Sequence, residues 1–151
     1  MTAEAPRWLT LQRRVRFSDT DAAGVVHFQQ LLGWCHQAWE ESLERFGLEA
    51  GSVFPGGRSP APAVALPIVH CHADFRAPLR MGDALTIKLE PKRLDRGSFE
   101  VLSRYMLGDN EVARGCLRHV AIDPTSRRRC PLPEGLDLWL EASCLGQLNP
   151  L

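Results

Sequence analysis

The chain has 151 residues, 18 basic and 18 acidic side chains and a formal net charge of zero. This length makes one domain that can bury a core without disulfides or metals, and the even charge excludes general nucleic-acid affinity, leaving Arg127-Arg128-Arg129 as a local anion contact. No apolar run approaches a membrane span and the start, MTAEAPRW, lacks a signal peptide's apolar segment, so a cytoplasmic protein without membrane insertion is expected. Its five cysteines, Cys35, Cys71, Cys116, Cys130 and Cys144, show no C-x-x-C spacing, and an odd number cannot all pair within one chain. They are expected to be reduced and to pack as small hydrophobes.

Residues 1–6 are expected outside the fold. Leu9, Leu11, Arg13, Val15 and Phe17 share one parity, which predicts a first strand over residues 8–17. Asp19 and Asp21 follow two apart and share a side if the chain stays extended. The Ala22-Ala23-Gly24 turn after them has little side-chain bulk, so a ligand can approach the backbone where Gly24 takes a positive φ.

Phe28, Leu31, Leu32, Cys35, Trp39, Leu43 and Phe46 recur at three- and four-residue steps. That period predicts one long amphipathic helix stopped by Gly47, with Trp34 and Ala38 widening the stripe that lies on a sheet. The first amides of such a helix have no intrahelical partner and sit at the positive end of its dipole, close in sequence to Asp21. Carboxylate, bare turn and helix start therefore converge, in a place suited to polarising a carbonyl.

Residues 48–67 are rich in Gly, Pro, Ala and Ser and read as a loop, partly helical at its start. From Ala65 onward four strands follow. Val69, Cys71, Ala73 and Phe75 form one face of the first of them, opposite Ile68, His70, His72 and Asp74. Leu85, Ile87 and Leu89 alternate in the next, and SFEVLSRYML and EVARGCLRHVAID complete the series. Short turns between them require antiparallel neighbours. Pro133 opens a short final helix over residues 134–145. The sum is a single α+β domain over residues 1–151, its long helix cradled by a curved antiparallel sheet of about five strands. An open sheet leaves edges, so a homo-oligomer, dimer or tetramer, is expected.

The run D-T-D-A-A-G-V-V-H-F before an amphipathic helix, continued by Leu66-Pro67-Ile68-Val69, Cys71, Ala73, Phe75, Gly82-Asp83 and Ser98-Phe99, resembles the hotdog-fold acyl-CoA thioesterases of the 4-hydroxybenzoyl-CoA thioesterase family. Within that family it looks most like the branch acting on 1,4-dihydroxy-2-naphthoyl-CoA in phylloquinone biosynthesis. The resemblance implies a hotdog fold, thioester hydrolysis without a cofactor, CoA being part of the substrate, and no metal. It places the catalytic carboxylate on Asp21 and the carbonyl-polarising amide on Phe28. Asp19 is expected to support the turn.

The residues agree with this placement, because a thioester carbonyl needs an attacking group on one side and donors for the oxyanion on the other. His27, beside the oxyanion position, is a candidate to orient water, and Gly24 and Leu66 are candidate substrate contacts. The family grips the CoA phosphates with a basic turn before the Ser-Phe strand; here Arg96 keeps the charge, with Lys92, Arg93 and the Arg127–Arg129 run, Arg128 included, as further candidates. His36 is expected at the surface near Glu40. His70, His72 and Asp74 alternate as metal ligands do, but fit better as a pocket wall or subunit contact. The alternatives are a short- or medium-chain acyl-CoA thioesterase of the same fold and a non-catalytic acyl-CoA-binding module. A hotdog dehydratase would need histidine in the attacking position, where this chain has Asp21.

Overall fold

The computed structural model describes residues 5–58 and 60–144. The expectations for residues 1–4 and for the end of the last helix at Leu145 lie outside them. Strand β1 (Thr10–Arg14) precedes the long helix α1 (Phe28–Phe46) and a single helical turn, α2 (Ala50–Val53). Strands β2 (Ile68–Phe75), β3 (Ala84–Asp95), β4 (Ser98–Leu107) and β5 (Asn110–Val120) lead to helix α3 (Glu134–Ser143). All pairings are antiparallel in one sheet of order β1-β3-β4-β5-β2, which makes β1 and β2 its edges.

The core forms where the two sequence periods meet. Leu85, Ile87 and Leu89 of β3, Phe99, Val101 and Tyr105 of β4 and Ala113 and Leu117 of β5 turn inward, against Leu31, Trp34, Cys35, Ala38, Trp39 and Leu43 of α1. Gly47 ends α1 with φ 109°, as the sequence predicts. Helix α3 closes the other side, its Trp139 Nε1 donating to Ser42 Oγ at 3.1 Å while its ring edges Phe99.

The sheet approaches the helix most tightly at Gly115 of β5, where an added Cβ would lie 2.5 Å from the buried Cys35 Sγ, itself held 3.2 Å from Tyr105 Oη. A Gly115→Ala substitution is therefore expected to destabilise the fold by about 1–3 kcal/mol, read as a lower urea midpoint. An unchanged midpoint would mean that Cys35 moves aside freely.

Two local expectations change. The first strand is shorter than residues 8–17, because 3-10 turns flank it at Arg7–Leu9 and Phe17–Asp19. Long-range contacts divert the first of these: Trp8 packs on Phe46 and donates to Ser143 Oγ at 2.9 Å. A capping box between Arg16 and Asp19 winds the second, leaving Phe17 exposed instead of inward. Asp19 and Asp21 consequently do not share a side, since Asp19 is 6% exposed whereas Asp21 is open to solvent. In β2, both alternating faces are largely open: Ile68, Val69 and Phe75 are all exposed, while Ala73 packs against the core.

Candidate active site

Residues 19–28 form a small hairpin held by backbone hydrogen bonds. Thr20 pairs with Val26, the Asp21 N–H donates to the Val25 carbonyl at 2.9 Å, and Gly24, with φ 79°, closes the turn by donating to the Asp21 carbonyl at 3.0 Å. A positive φ of this kind is what the glycine provides. Behind it, Asp19 is structural: its carboxylate takes the Arg16 N–H at 2.8 Å and its carbonyl takes the His27 N–H at 3.2 Å. The Val26 N–H is held by the Leu79 carbonyl at 3.0 Å.

Asp21 sits at the tip of this hairpin. One carboxylate oxygen, Oδ1, accepts from the Ala23 N–H at 2.8 Å, which fixes the side chain, and the group is solvent-accessible. The helix cap is a different residue, His27, whose Nδ1 accepts from the Gln29 N–H at 3.1 Å. The His27 carbonyl takes the Gln30 N–H at 3.0 Å. Among the described residues the Phe28 N–H has no acceptor, so it is the donor left open at the positive end of α1. The Val25 carbonyl that accepts from the Asp21 N–H is three residues before Phe28, at most about 10 Å of chain, so Asp21 and the helix start are neighbours. Beside them a pocket of about 370 Å³ is lined by Val25, Val26, Phe75, Arg76, Ala77, Pro78 and Leu79. The Phe28 ring, half exposed, meets Phe75 at 6.3 Å.

The remaining expected contacts lie elsewhere in the protomer. Leu66 lies two residues before β2, beyond the end opposite Phe75, the strand itself spanning on the order of 25 Å. Arg96 is exposed in the β3–β4 turn at that same far end, beside the Arg127–Arg129 segment, and Arg128 is exposed there too. Arg93 is engaged with Asp137 of α3 at 2.6 Å, which ties the helix to the sheet. Arg129 pairs with Asp95 at 3.2 Å; the Gly97 N–H, Ser98 and Arg129 hold that carboxyl below its ordinary value, so it stays ionised and cancels one cation of the group. Burial raises the Cys35 thiol and pushes that of Cys116 up to about 11, which leaves neither as a thiolate nucleophile at neutral pH.

Sequence reasoning missed a second concavity at the far end. His36, Trp39, Val53, Phe54, Pro55, Leu66, Pro67 and Arg127 line a slot of about 270 Å³. His36 does not bond Glu40; its ring stacks on Trp39 at 5.8 Å and on His119 at 6.2 Å. His119 is wholly buried, its ring 4.4 Å from Trp39 and 5.1 Å from Phe99, with Nδ1 3.0 Å from the Leu66 carbonyl. Burial lowers its pKa to about 4, an effect that the Leu66 carbonyl opposes and neighbouring His36 reinforces. The neutral ring therefore donates from Nδ1 and fixes Leu66. The signal was present in β5, where His119 shares the inward parity of Ala113, Gly115 and Leu117.

Comparison with known proteins gives a consistent set. The model of the thioesterase-like superfamily matches residues 15–140. A 1,4-dihydroxy-2-naphthoyl-CoA hydrolase of Synechococcus sp. strain CC9605 is 72% identical over 95% of this chain and 97% of its own. One from strain WH7803 is 56% identical over the whole of both chains. Among solved structures, a 1,4-dihydroxy-2-naphthoyl-CoA thioesterase from Synechocystis superposes with a TM-score of 0.75 at 31% identity, over 87% of this chain and 94% of the other. A protein of Prochlorococcus marinus strain MIT 9313 does so with a TM-score of 0.88 at 54% identity, over 90% and 96%.

Proposed function

This chain belongs to the thioesterase-like superfamily, and from that membership we propose that it hydrolyses 1,4-dihydroxy-2-naphthoyl-CoA to 1,4-dihydroxy-2-naphthoate and CoA, a step of phylloquinone biosynthesis. The relatives named for that thioester support the choice of acyl group. The observation that carries the chemistry is the accessible Asp21 carboxylate, pinned one short hairpin from the open Phe28 N–H.

In this reading the thioester oxygen accepts from the Phe28 N–H, where the helix dipole favours growing negative charge. Asp21 supplies the electron pair at the carbonyl carbon, either directly, giving a mixed anhydride that water then opens, or by taking a proton from the attacking water. The tetrahedral intermediate collapses with cleavage of the C–S bond, and the CoA thiolate leaves and is protonated. His27 holds the helix tip through Gln29 and so orients the donor.

The working unit is a homodimer. β2 is an edge strand whose two faces are largely open, with Ile68, Val69 and Phe75 exposed. Pairing β2 with its copy about a two-fold axis makes the strands antiparallel, so the Phe75 end of one meets the Leu66 end of the other. That arrangement unites the Asp21 and Phe28 half of a site with Leu66, Arg96 and Arg128 of the second copy, and it adds their cations for the CoA phosphates to Arg76 of the pocket beside Asp21.

The test is thiol release from 1,4-dihydroxy-2-naphthoyl-CoA, benzoyl-CoA and straight-chain acyl-CoAs. A kcat/KM for the dihydroxynaphthoyl thioester at least about 100-fold above the straight-chain substrates is expected, the scale of discrimination by a site that hydrogen-bonds its substrate. Equal or higher rates on straight chains would replace this substrate with a short- or medium-chain one.

A further inference from the structure

The slot at the far end of β2 has features that hairpin chemistry does not use. Trp39, Val53, Phe54, Leu66 and Pro67 make it apolar, and His36, exposed, presents a polar ring edge within it. Behind these walls the buried His119 anchors the Leu66 carbonyl and stacks on Trp39, while its Nε2 is without a partner among the described residues. The unpaired nitrogen is a cost, while the Nδ1 bond to Leu66 and the stack on Trp39 tie the wall of the slot to the core. At the rim Arg127 holds φ 64°, a left-handed conformation that a side chain other than glycine adopts at a cost. An apolar slot walled by the aromatic residues Trp39 and Phe54, with a few polar groups at its margin, is suited to an aromatic ring carrying hydroxyl groups.

The slot does not serve the helix tip of its own protomer. His36 is two turns from Phe28, about 12 Å along the axis, and Trp39 and Phe54 lie deeper, farther than a fused two-ring acyl group extends from its carbonyl. The two-fold pairing of β2 carries the slot of the second copy to the helix tip of the first. Resting on the dimeric thioesterase reading above, we propose that the slot receives the fused aromatic ring of a thioester held at Asp21 and Phe28 of the other copy, and that His36 hydrogen-bonds a ring hydroxyl. His36 is then a specificity residue acting across the subunit boundary.

Two experiments decide this. His36→Ala, at an exposed position, is expected to lower kcat/KM for 1,4-dihydroxy-2-naphthoyl-CoA about tenfold or more, and for 2-naphthoyl-CoA, which lacks the hydroxyls, less than about threefold. Equal losses on both, or none on either, overturn the role of His36. For the subunit arrangement, Asp21→Asn and Leu66→Arg chains, each folded by thermal melting and each inactive alone, are co-expressed. Mixed dimers are expected to regain one intact site and about half the wild-type rate per mixed dimer. No recovery means that the slot serves its own protomer and overturns the proposal. Failure of wild type to release thiol from any aryl-CoA is a different result, which sinks the substrate reading itself.

Discussion

Asp21→Asn is expected to lower kcat by about 10²- to 10⁴-fold, the range associated with losing a positioned acid–base group, with KM little changed. The substitution is conservative for the fold. Asparagine keeps an oxygen that accepts from the Ala23 N–H, the bond that Asp21 Oδ1 makes at 2.8 Å, and the backbone bonds of the hairpin do not involve the side chain. What it lacks is the negative charge, and with it both the nucleophile and the base. Thiol release at saturating substrate, beside a thermal melt, checks the prediction. A variant that melts like wild type and turns over within tenfold of it would remove Asp21 from the chemistry and bring the binding-module reading forward.

The second large effect is on stability against pH. His119 has a folded pKa of about 4 because burial disfavours its charged form, while in the unfolded chain it titrates near 6.5. Between those values the unfolded state binds a proton that the folded state does not, so stability rises with pH across this window and falls as the solution is acidified. The loss begins near pH 6.5, is complete by about pH 4 and amounts to about 3 kcal/mol. Carboxylates held low by their partners, Asp95, Glu111 and Asp123, lose their contributions at the acid end of the scale, below the ordinary carboxylate range of about 4. Urea unfolding of wild type and His119→Phe at pH 7, 6, 5 and 4 separates the two. The variant keeps the aromatic stack on Trp39 and Phe99 and is expected to lose most of the slope between pH 6.5 and 4. An unchanged slope would mean that His119 is protonated in the folded protein.

The strongly periodic parts were legible from the residues alone. The stripe from Leu31 to Leu43 and the stop at Gly47 defined α1, and the alternation of Leu85, Ile87 and Leu89 defined β3, because burial of one face imposes those periods. The motif around Asp21 marked the candidate site for the same local reason: turn, carboxylate and helix start are neighbours in sequence. What stayed hidden depends on contacts distant in the chain. Trp8 leaves the strand pattern for Phe46 and Ser143, more than thirty residues away in each case. The slot joins His36, Phe54, Leu66 and Arg127, no two of them in one local pattern. His119 alone left a trace, as a polar residue at an inward position of β5. Placing Leu66 and Arg96 at the far end of β2 from Asp21 required the strand order, which alternation does not carry.

The pinned hairpin also bears on where the protein meets the cost of alignment. From Asp19 to Phe28, the Asp21 N–H goes to Val25, that of Gly24 to Asp21, that of Val26 to Leu79 and that of His27 to Asp19. These bonds tie the backbone that carries the carboxylate to the start of the helix that carries the amide. Their relative freedom is surrendered once, when the chain folds, and the hydrophobic core offsets that loss. In the proposed mechanism each arriving thioester then meets two groups already in register, and its own binding energy is left for placing the acyl group.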